Sequence, residues 1–251
     1  MFREKRNQRK KKISQTGRIK QMLKTDWLKQ LLGQEIASRV KSGEIIGLGS
    51  GTTSEAAIRA IGARIKAGEI KDISGVATSK KLAALAESLG FRILDLELAA
   101  RLNWGFDGAD EAEKNTWRLI KGGGGAATLE RRLSLKCINW IIIVDESKLV
   151  KSLGKFPLMV EVQPEKVEAV REVLMQKYQP QAISVRDFTT DLGNQILDVT
   201  MGAGRVKSEF EQAWREIEGV VDTGLFVKER PPSEVLVAQA DGEITAYKAR
   251  P

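Results

Sequence analysis

Two aspartates three residues apart, a lysine heading four glycines, and a glutamate nine residues beyond that lysine are the residues here best suited to chemistry. They are Asp107 and Asp110 in Asp107-Gly108-Ala109-Asp110-Glu111, Lys121 in Lys121-Gly122-Gly123-Gly124-Gly125, and Glu130. Neighbouring carboxylates raise one another's pKa, so one can hold a proton while the other accepts one. Four consecutive glycines cost backbone entropy. A tight loop wrapping an oxyanion, with Lys121 as the cation beside it, is a better account of them than a flexible hinge. Upstream, Gly47-Leu48-Gly49-Ser50-Gly51-Thr52-Thr53 lies between an expected strand and an expected helix. Its free amides and the hydroxyls of Ser50, Thr52 and Thr53 suit phosphate oxygens at a helix N-terminus. No Lys-Ser/Thr pair closes it as a P-loop, and the third glycine of the dinucleotide fingerprint would fall at Thr52. Lys148, in Asp145-Glu146-Ser147-Lys148, follows a later strand at the same sheet edge.

Each segment also has a plain structural reading: an acidic surface turn, a capped strand–helix turn, a hinge, a surface lysine. The carboxylates could instead hold a divalent metal, although the lysine and glycines fit an anionic substrate better. Taken together the segments offer a phosphate cradle, a carboxylate pair, a cation with an amide-rich loop, and one further carboxylate. An enediol isomerisation needs that set. A base removes the C2 proton, a cation and donors stabilise the enediolate, and an acid–base group moves the proton between O1 and O2. The phosphate supplies orientation away from the reacting carbons.

What is missing narrows the chemistry further. The chain has 251 residues and no histidine. That excludes a Ser-His dyad, an imidazole base and a His-ligated metal, leaving carboxylates, lysine, tyrosine, one cysteine or water to move protons. The single cysteine, Cys137, precludes an intrachain disulfide and fits a reducing, cytoplasmic setting. The longest apolar run, Cys137 to Val144, falls short of a membrane span, and the polar start lacks a signal-peptide core. The formal charge of +8 is concentrated in residues 1–24, which hold ten of the 41 Lys and Arg and one of the 33 Asp and Glu. The remainder carries 31 bases and 32 acids, a net charge of −1. The expectation is a disordered, solvated basic arm. Contact with RNA or an anionic surface is one alternative for it, and a translation start at Met22 another.

The elements that must position these residues follow from periodicity. Thr25 or Asp26 caps a helix with Leu28, Leu31, Leu32, Ile36 and Val40 on one face. Ile45 to Leu48 reads as a strand, Ser54 to Ala67 as a helix, Ile73 to Ala77 as a strand and Ser79 to Leu89 as a helix. Arg92 to Leu96 is a strand, Gly105 to Asp107 a strand end, Ala126 to Ile138 a helix and Trp140 to Val144 a buried strand. Strands alternating with helices imply a parallel α/β sheet. Beyond Gly154 the order becomes β-α-β-β-α-β, over Met159–Val162, Pro164–Tyr178, Ala182–Asp187, Ile196–Thr200, Ser208–Ile217 and Val220–Val227. That is the order of a ferredoxin-like unit. Val235 to Tyr247 can return a strand or hairpin to the first sheet.

From about Thr25 to Tyr247 the sequence resembles the type A family of ribose-5-phosphate isomerases. The stretches that carry the resemblance are GLGSGTT, VATSKKLAALAESLG, FDGADEAE, LIKGGGGAATLE, VDESKLVKSLGKFPLMVEVQP, TTDLGNQILDV and GVVDTGLF. The resemblance implies an α/β fold: a Rossmann-like parallel-sheet domain, residues 25–154 plus 226–251, with an inserted ferredoxin-like small domain, residues 155–225, after the arm of residues 1–24. It implies interconversion of D-ribose 5-phosphate and D-ribulose 5-phosphate with no cofactor and no metal, in a cytoplasmic homodimer or homotetramer. Glu130 matches the general base, Asp107 and Asp110 the carboxylates on the sugar hydroxyls, and Lys121 the residue that stabilises the enediolate. Ser50, Gly51, Thr52, Thr53, Gly108, Ala109, Gly122, Gly123, Gly124 and Lys148 match substrate-binding positions, and Lys29 matches a lysine that reaches the phosphate.

There are departures. Leu129 stands where the family usually has arginine, Ser-Gly-Thr-Thr replaces Thr-Gly-Ser-Thr, and Leu192, Glu218 and Thr223 replace asparagine, proline and a histidine. None removes a catalytic candidate. The rival reading is a non-catalytic sugar-phosphate sensor of related fold, which would bind without turnover.

Overall fold

The computed structural model describes residues 22–248. Its first helix, α1, covers residues 22–39, so Met22 to Lys24, expected in the arm of residues 1–24, are helical, and the rest of that arm, residues 1–21, lies outside the described residues. Leu28, Leu32, Ile36 and Val40 recur every four residues and are all buried, which makes α1 amphipathic and lays it on a sheet.

The elements that follow are β1 (Ile45–Leu48), α2 (Gly51–Lys66), β2 (Ser74–Ala77), α3 (Lys80–Ser88), β3 (Arg92–Leu94), β4 (Leu102–Asp107), β5 (Glu111–Glu113) and β6 (Leu119–Ile120). Next come α4 (Ala127–Lys136), β7 (Cys137–Asp145), β8 (Leu149–Val150) and β9 (Leu158–Val162). The chain continues through α5 (Val167–Tyr178), β10 (Ala182–Val185), β11 (Gln195–Thr200), α6 (Phe210–Arg215), β12 (Val220–Thr223), β13 (Leu225–Phe226), β14 (Glu234–Ala238) and β15 (Ile244–Lys248).

Seven strands form the main sheet in the order β15-β14-β7-β4-β1-β2-β3. It is parallel from β3 to β14, and β15 closes the edge antiparallel. Both faces are covered, so its strands alternate between two cores. Ile141 and Ile143 of β7 join one core with α1 and α2, while Trp140, Ile142 and Val144 join the other with Leu133 of α4. The strand order reverses between β1 and β4, and ligands of open α/β sheets bind outside the carboxyl ends of strands at such a reversal.

The small sheet, β10-β11-β9-β12, is antiparallel and carries α5 and α6 over its own core of Val160, Leu174, Val199 and Trp214. Its chain order is ferredoxin-like, as the periodicity indicates. A third sheet, β13-β6-β5-β8, is built from strands of two or three residues and has no counterpart in the sequence reading.

Several boundaries differ from expectation. The helix expected from Ser54 begins at Gly51, because Ser50 is extended (φ −107°, ψ 179°) and the chain turns helical immediately after it. Thr52 and Thr53 therefore sit in the first turn, where amides are unpaired. The strand expected at Val220–Val227 divides at Gly224. There the chain leaves the small sheet for the third one, and a Cβ would lie 2.1 Å from the Lys121 carbonyl oxygen.

Candidate active site

Asp107 is the last residue of β4 and Ser50 lies in the two-residue link between β1 and α2, so the two neighbouring strands at the reversal deliver the first pieces of the site. Asp107 is fully buried. Its Oδ1 accepts from Ser54 Oγ at 3.2 Å and from Gly108 N–H at 2.8 Å. Space for its carboxyl depends on Gly49, where a Cβ would sit 2.2 Å from the Asp107 carboxyl carbon.

Lys121 follows β6 and is 2% exposed. Its ammonium lies 2.8 Å from Asp107 Oδ2 and 3.2 Å from Glu130 Oε2, and it donates to the Gly108 carbonyl. Lys121 N–H in turn donates to the Gly224 carbonyl at 2.8 Å, tying the lysine to the strand that returns from the small sheet. Glu130, in the first turn of α4, is also buried, and its Oε1 accepts from the Ser50 hydroxyl. A single ammonium thus sits between two carboxylates from different elements.

These charges set the proton affinities. Burial pushes the Asp107 carboxyl up to about 7, helped by the Glu130 charge and opposed by Lys121 and the Gly108 amide. Burial lowers the Lys121 affinity, but the charges of Asp107, Glu130 and Asp110 outweigh it and leave the lysine above its usual range. Asp110 is raised by burial and restrained by the Gly123 amide, which donates to its Oδ2 at 2.8 Å.

The glycine run closes over these groups. Gly122 carries φ +93° and Gly125 φ +81°, and Gly125 N–H donates to the Gly122 carbonyl at 2.9 Å. Gly123 has no room for a side chain, since a Cβ would lie 2.6 Å from Asp110 Oδ1. Opposite, the buried Asp145 at the end of β7 accepts from the backbone and hydroxyl of Ser147, forming the turn that presents Lys148.

A cleft of about 230 Å³ collects all of the residues read from the sequence: Lys29, Ser50 to Thr53, Asp107 to Asp110, Lys121 to Gly124, Glu130 and Lys148. Thr25, Asp145 and Ser147 also line it, and sequence reasoning does not single them out for the site. Asp145 and Ser147 adjoin Lys148 in sequence, but a short turn carries no periodic signal. Leu129 does not enter this cleft. It lines a neighbouring cavity of about 290 Å³ beside Leu82, Ala126 and Phe188, so Glu130 takes its charge partner from Lys121 instead of from the preceding residue. Among the described residues no group of three or more His, Cys, Asp or Glu side chains is arranged to hold a metal ion. No described helix is long and apolar enough to cross a membrane.

Such a site can take a proton from carbon with Glu130, hold the resulting negative oxygen with Lys121 and loop amides, and bind hydroxyls with two aspartates.

Comparison with known proteins places the chain in a family. Residues 74–242 match the family model of ribose 5-phosphate isomerase A (phosphoriboisomerase A). Ribose-5-phosphate isomerase A of Prochlorococcus marinus subsp. pastoris is 34% identical over 224 residues, 86% of this chain and 96% of that protein. The Thermomicrobium roseum protein of the same name is 38% identical over 208 residues, 81% of this chain and 87% of that one. Among solved structures, ribose 5-phosphate isomerase A of Methanocaldococcus jannaschii superposes with a TM-score of 0.79 at 36% identity, covering 88% and 98% of the two chains. A D-ribose-5-phosphate isomerase in complex with phospho-erythronic acid gives a TM-score of 0.83 at 30% identity, covering 89% and 99%. With its cleft at the strand reversal and relatives matched over nearly their whole length, the chain belongs to the ribose 5-phosphate isomerase A family.

Proposed function

We propose that this chain interconverts D-ribose 5-phosphate and D-ribulose 5-phosphate through an enediolate formed in the cleft at the ends of β1 and β4. The observation that carries the reading is the buried Lys121 ammonium between the carboxylates of Asp107 and Glu130. Glu130 acts as the base that moves the proton between C1 and C2. Lys121 balances the charge that develops on oxygen. Asp107 and Asp110 bind the sugar hydroxyls and exchange protons with them during ring opening. Ser50 to Thr53, Lys29 and Lys148 hold the phosphate, and the loop from Gly122 to Gly124 together with Gly108 and Ala109 shapes the sugar subsite. The phospho-erythronic acid held by a relative supports this substrate class, because it joins a phosphate to a carboxylate with the paired oxygens of an enediolate. A sensor would have no use for a base buried against a catalytic cation, which favours turnover over binding alone.

The same reading takes the chain as a cytoplasmic homodimer or homotetramer acting without metal or cofactor, divided into residues 25–154 plus 226–251 and 155–225. Exposed apolar side chains such as Leu98, Leu135 and Ile138 are consistent with association between copies. The direct test is ketose formation from ribose 5-phosphate by the purified chain. Turnover that persists in excess chelator is the expected result. Binding without turnover refutes the isomerase reading, and chelator inactivation reversed by added metal refutes its metal-free form.

A further inference from the structure

Arg186 belongs to the small sheet's side of the molecule, immediately after β10, yet its guanidinium reaches the glycine loop. Nη1 donates to the Gly122 carbonyl at 3.0 Å and to the Gly123 carbonyl at 3.2 Å. Nε donates to Asp198 Oδ2 at 2.8 Å, and Nη2 donates to Asp198 Oδ1. Pairing two guanidinium nitrogens with one carboxylate fixes the plane of the fork, which leaves Nη1 aimed at the loop.

A trans peptide is planar, so its C=O and N–H point in opposite directions. Holding the Gly122 oxygen on Arg186 turns the Gly123 N–H the other way, and there it donates to Asp110 at 2.8 Å. The next peptide obeys the same constraint. With the Gly123 oxygen on Arg186, the Gly124 N–H points away from the guanidinium, and Gly124 lines the cleft. It makes no hydrogen bond among the described residues. A cation on a carbonyl also polarises the peptide and strengthens the N–H at its other end.

We propose that Arg186 is a positioning residue of the isomerase site. By gripping two loop carbonyls it aims the Gly123 amide at Asp110 and the Gly124 amide at an oxygen of the bound sugar phosphate. The proposal rests on the isomerase reading of the cleft. It gives the small domain a part in the chemistry without contact with substrate.

Arg186→Met removes the donors, and Arg186→Lys keeps the charge without the fork. Removing an oxyanion donor outright costs about 10²–10³ in kcat. Here the amides remain and only their aim is lost, so kcat of Arg186→Met is expected to fall about 10–100-fold, with KM within about threefold. Arg186→Lys should recover part of the loss, added guanidinium should restore part of kcat to Arg186→Ala, and the Gly123 amide should exchange with solvent faster in Arg186→Met. Wild-type kcat in Arg186→Met, or a loss that tracks only the unfolded fraction and ignores guanidinium, overturns the proposal. Should Arg186→Met not fold, Asp198→Asn decides on the same readouts, since it keeps Arg186 but frees its fork. Lower kcat with faster Gly123 exchange supports the role, and unchanged values overturn it. A wild-type chain inactive on ribose 5-phosphate defeats the isomerase reading alone, because amide exchange still reports whether Arg186 aims the loop.

Discussion

Glu130→Gln separates the proposed base from the rest of the site better than any other substitution. The carbonyl oxygen of the new amide can still accept the Ser50 hydroxyl that Oε1 accepts now, and the side-chain volume is nearly unchanged. What disappears is the basic oxygen and one of the two negative charges on the Lys121 ammonium, the one at 3.2 Å. Asp107, at 2.8 Å, remains to hold the lysine. A positioned general base contributes about 10²–10⁴-fold, which is about 3–5 kcal/mol of activation free energy. The kcat for ketose formation should fall by that factor with KM nearly constant. A second readout follows from the electrostatics. Burial, and after it the Glu130 charge, holds Asp107 at about 7, so the variant's Asp107 should titrate lower in a ¹³C carboxyl experiment. In the wild type, Asp107 takes up a proton as pH falls through about 7 and can no longer accept one from a sugar hydroxyl. The expected kcat/KM therefore has an acid limb near that pH. Lys121 stays charged well above neutrality and contributes no loss there. Near-normal turnover in Glu130→Gln, or an Asp107 titration that does not move, refutes the reasoning.

Three further outcomes test the scaffold. Gly49→Ala places a Cβ 2.2 Å from the Asp107 carboxyl carbon; it should lower kcat/KM at least about tenfold and cost about 1–3 kcal/mol in thermal or denaturant unfolding. Arg131→Met strips Glu211 and Asp222 of the buried guanidinium 2.9 Å from each; a loss of about 3–5 kcal/mol in urea unfolding is expected, and an unshifted midpoint contradicts it. Cys137 is buried, and burial pushes its thiol up to about 12, so at pH 8 iodoacetamide should label it readily only after denaturation.

The lining of the cleft is legible in sequence because its residues come in short local runs near strand ends, and such runs keep their spacing when the chain folds. The main sheet is legible for a related reason: buried parallel strands such as Trp140–Val144 read as continuous apolar segments. Other features leave no local trace. Arg131 meets Glu211 and Asp222, 80 and 91 residues away, and nothing in Glu130-Arg131-Arg132 distinguishes that arginine from a surface cation. The third sheet escapes because strands of two residues, such as β6 and β13, have no period. Gly224 looks like an interruption within one strand; only the fold shows it as the point of transfer between two sheets.

The two carboxylates of the Asp107–Asp110 segment each stand where a glycine of another segment leaves room, Asp107 against Gly49 and Asp110 against Gly123. Each pair is one unit of inheritance. A relative that gains a side chain at either glycine must give up or move the matching aspartate, so within each pair the two positions should change together across a lineage or not at all. A side chain at either glycine should then mark a lineage in which the matching aspartate has been lost or displaced.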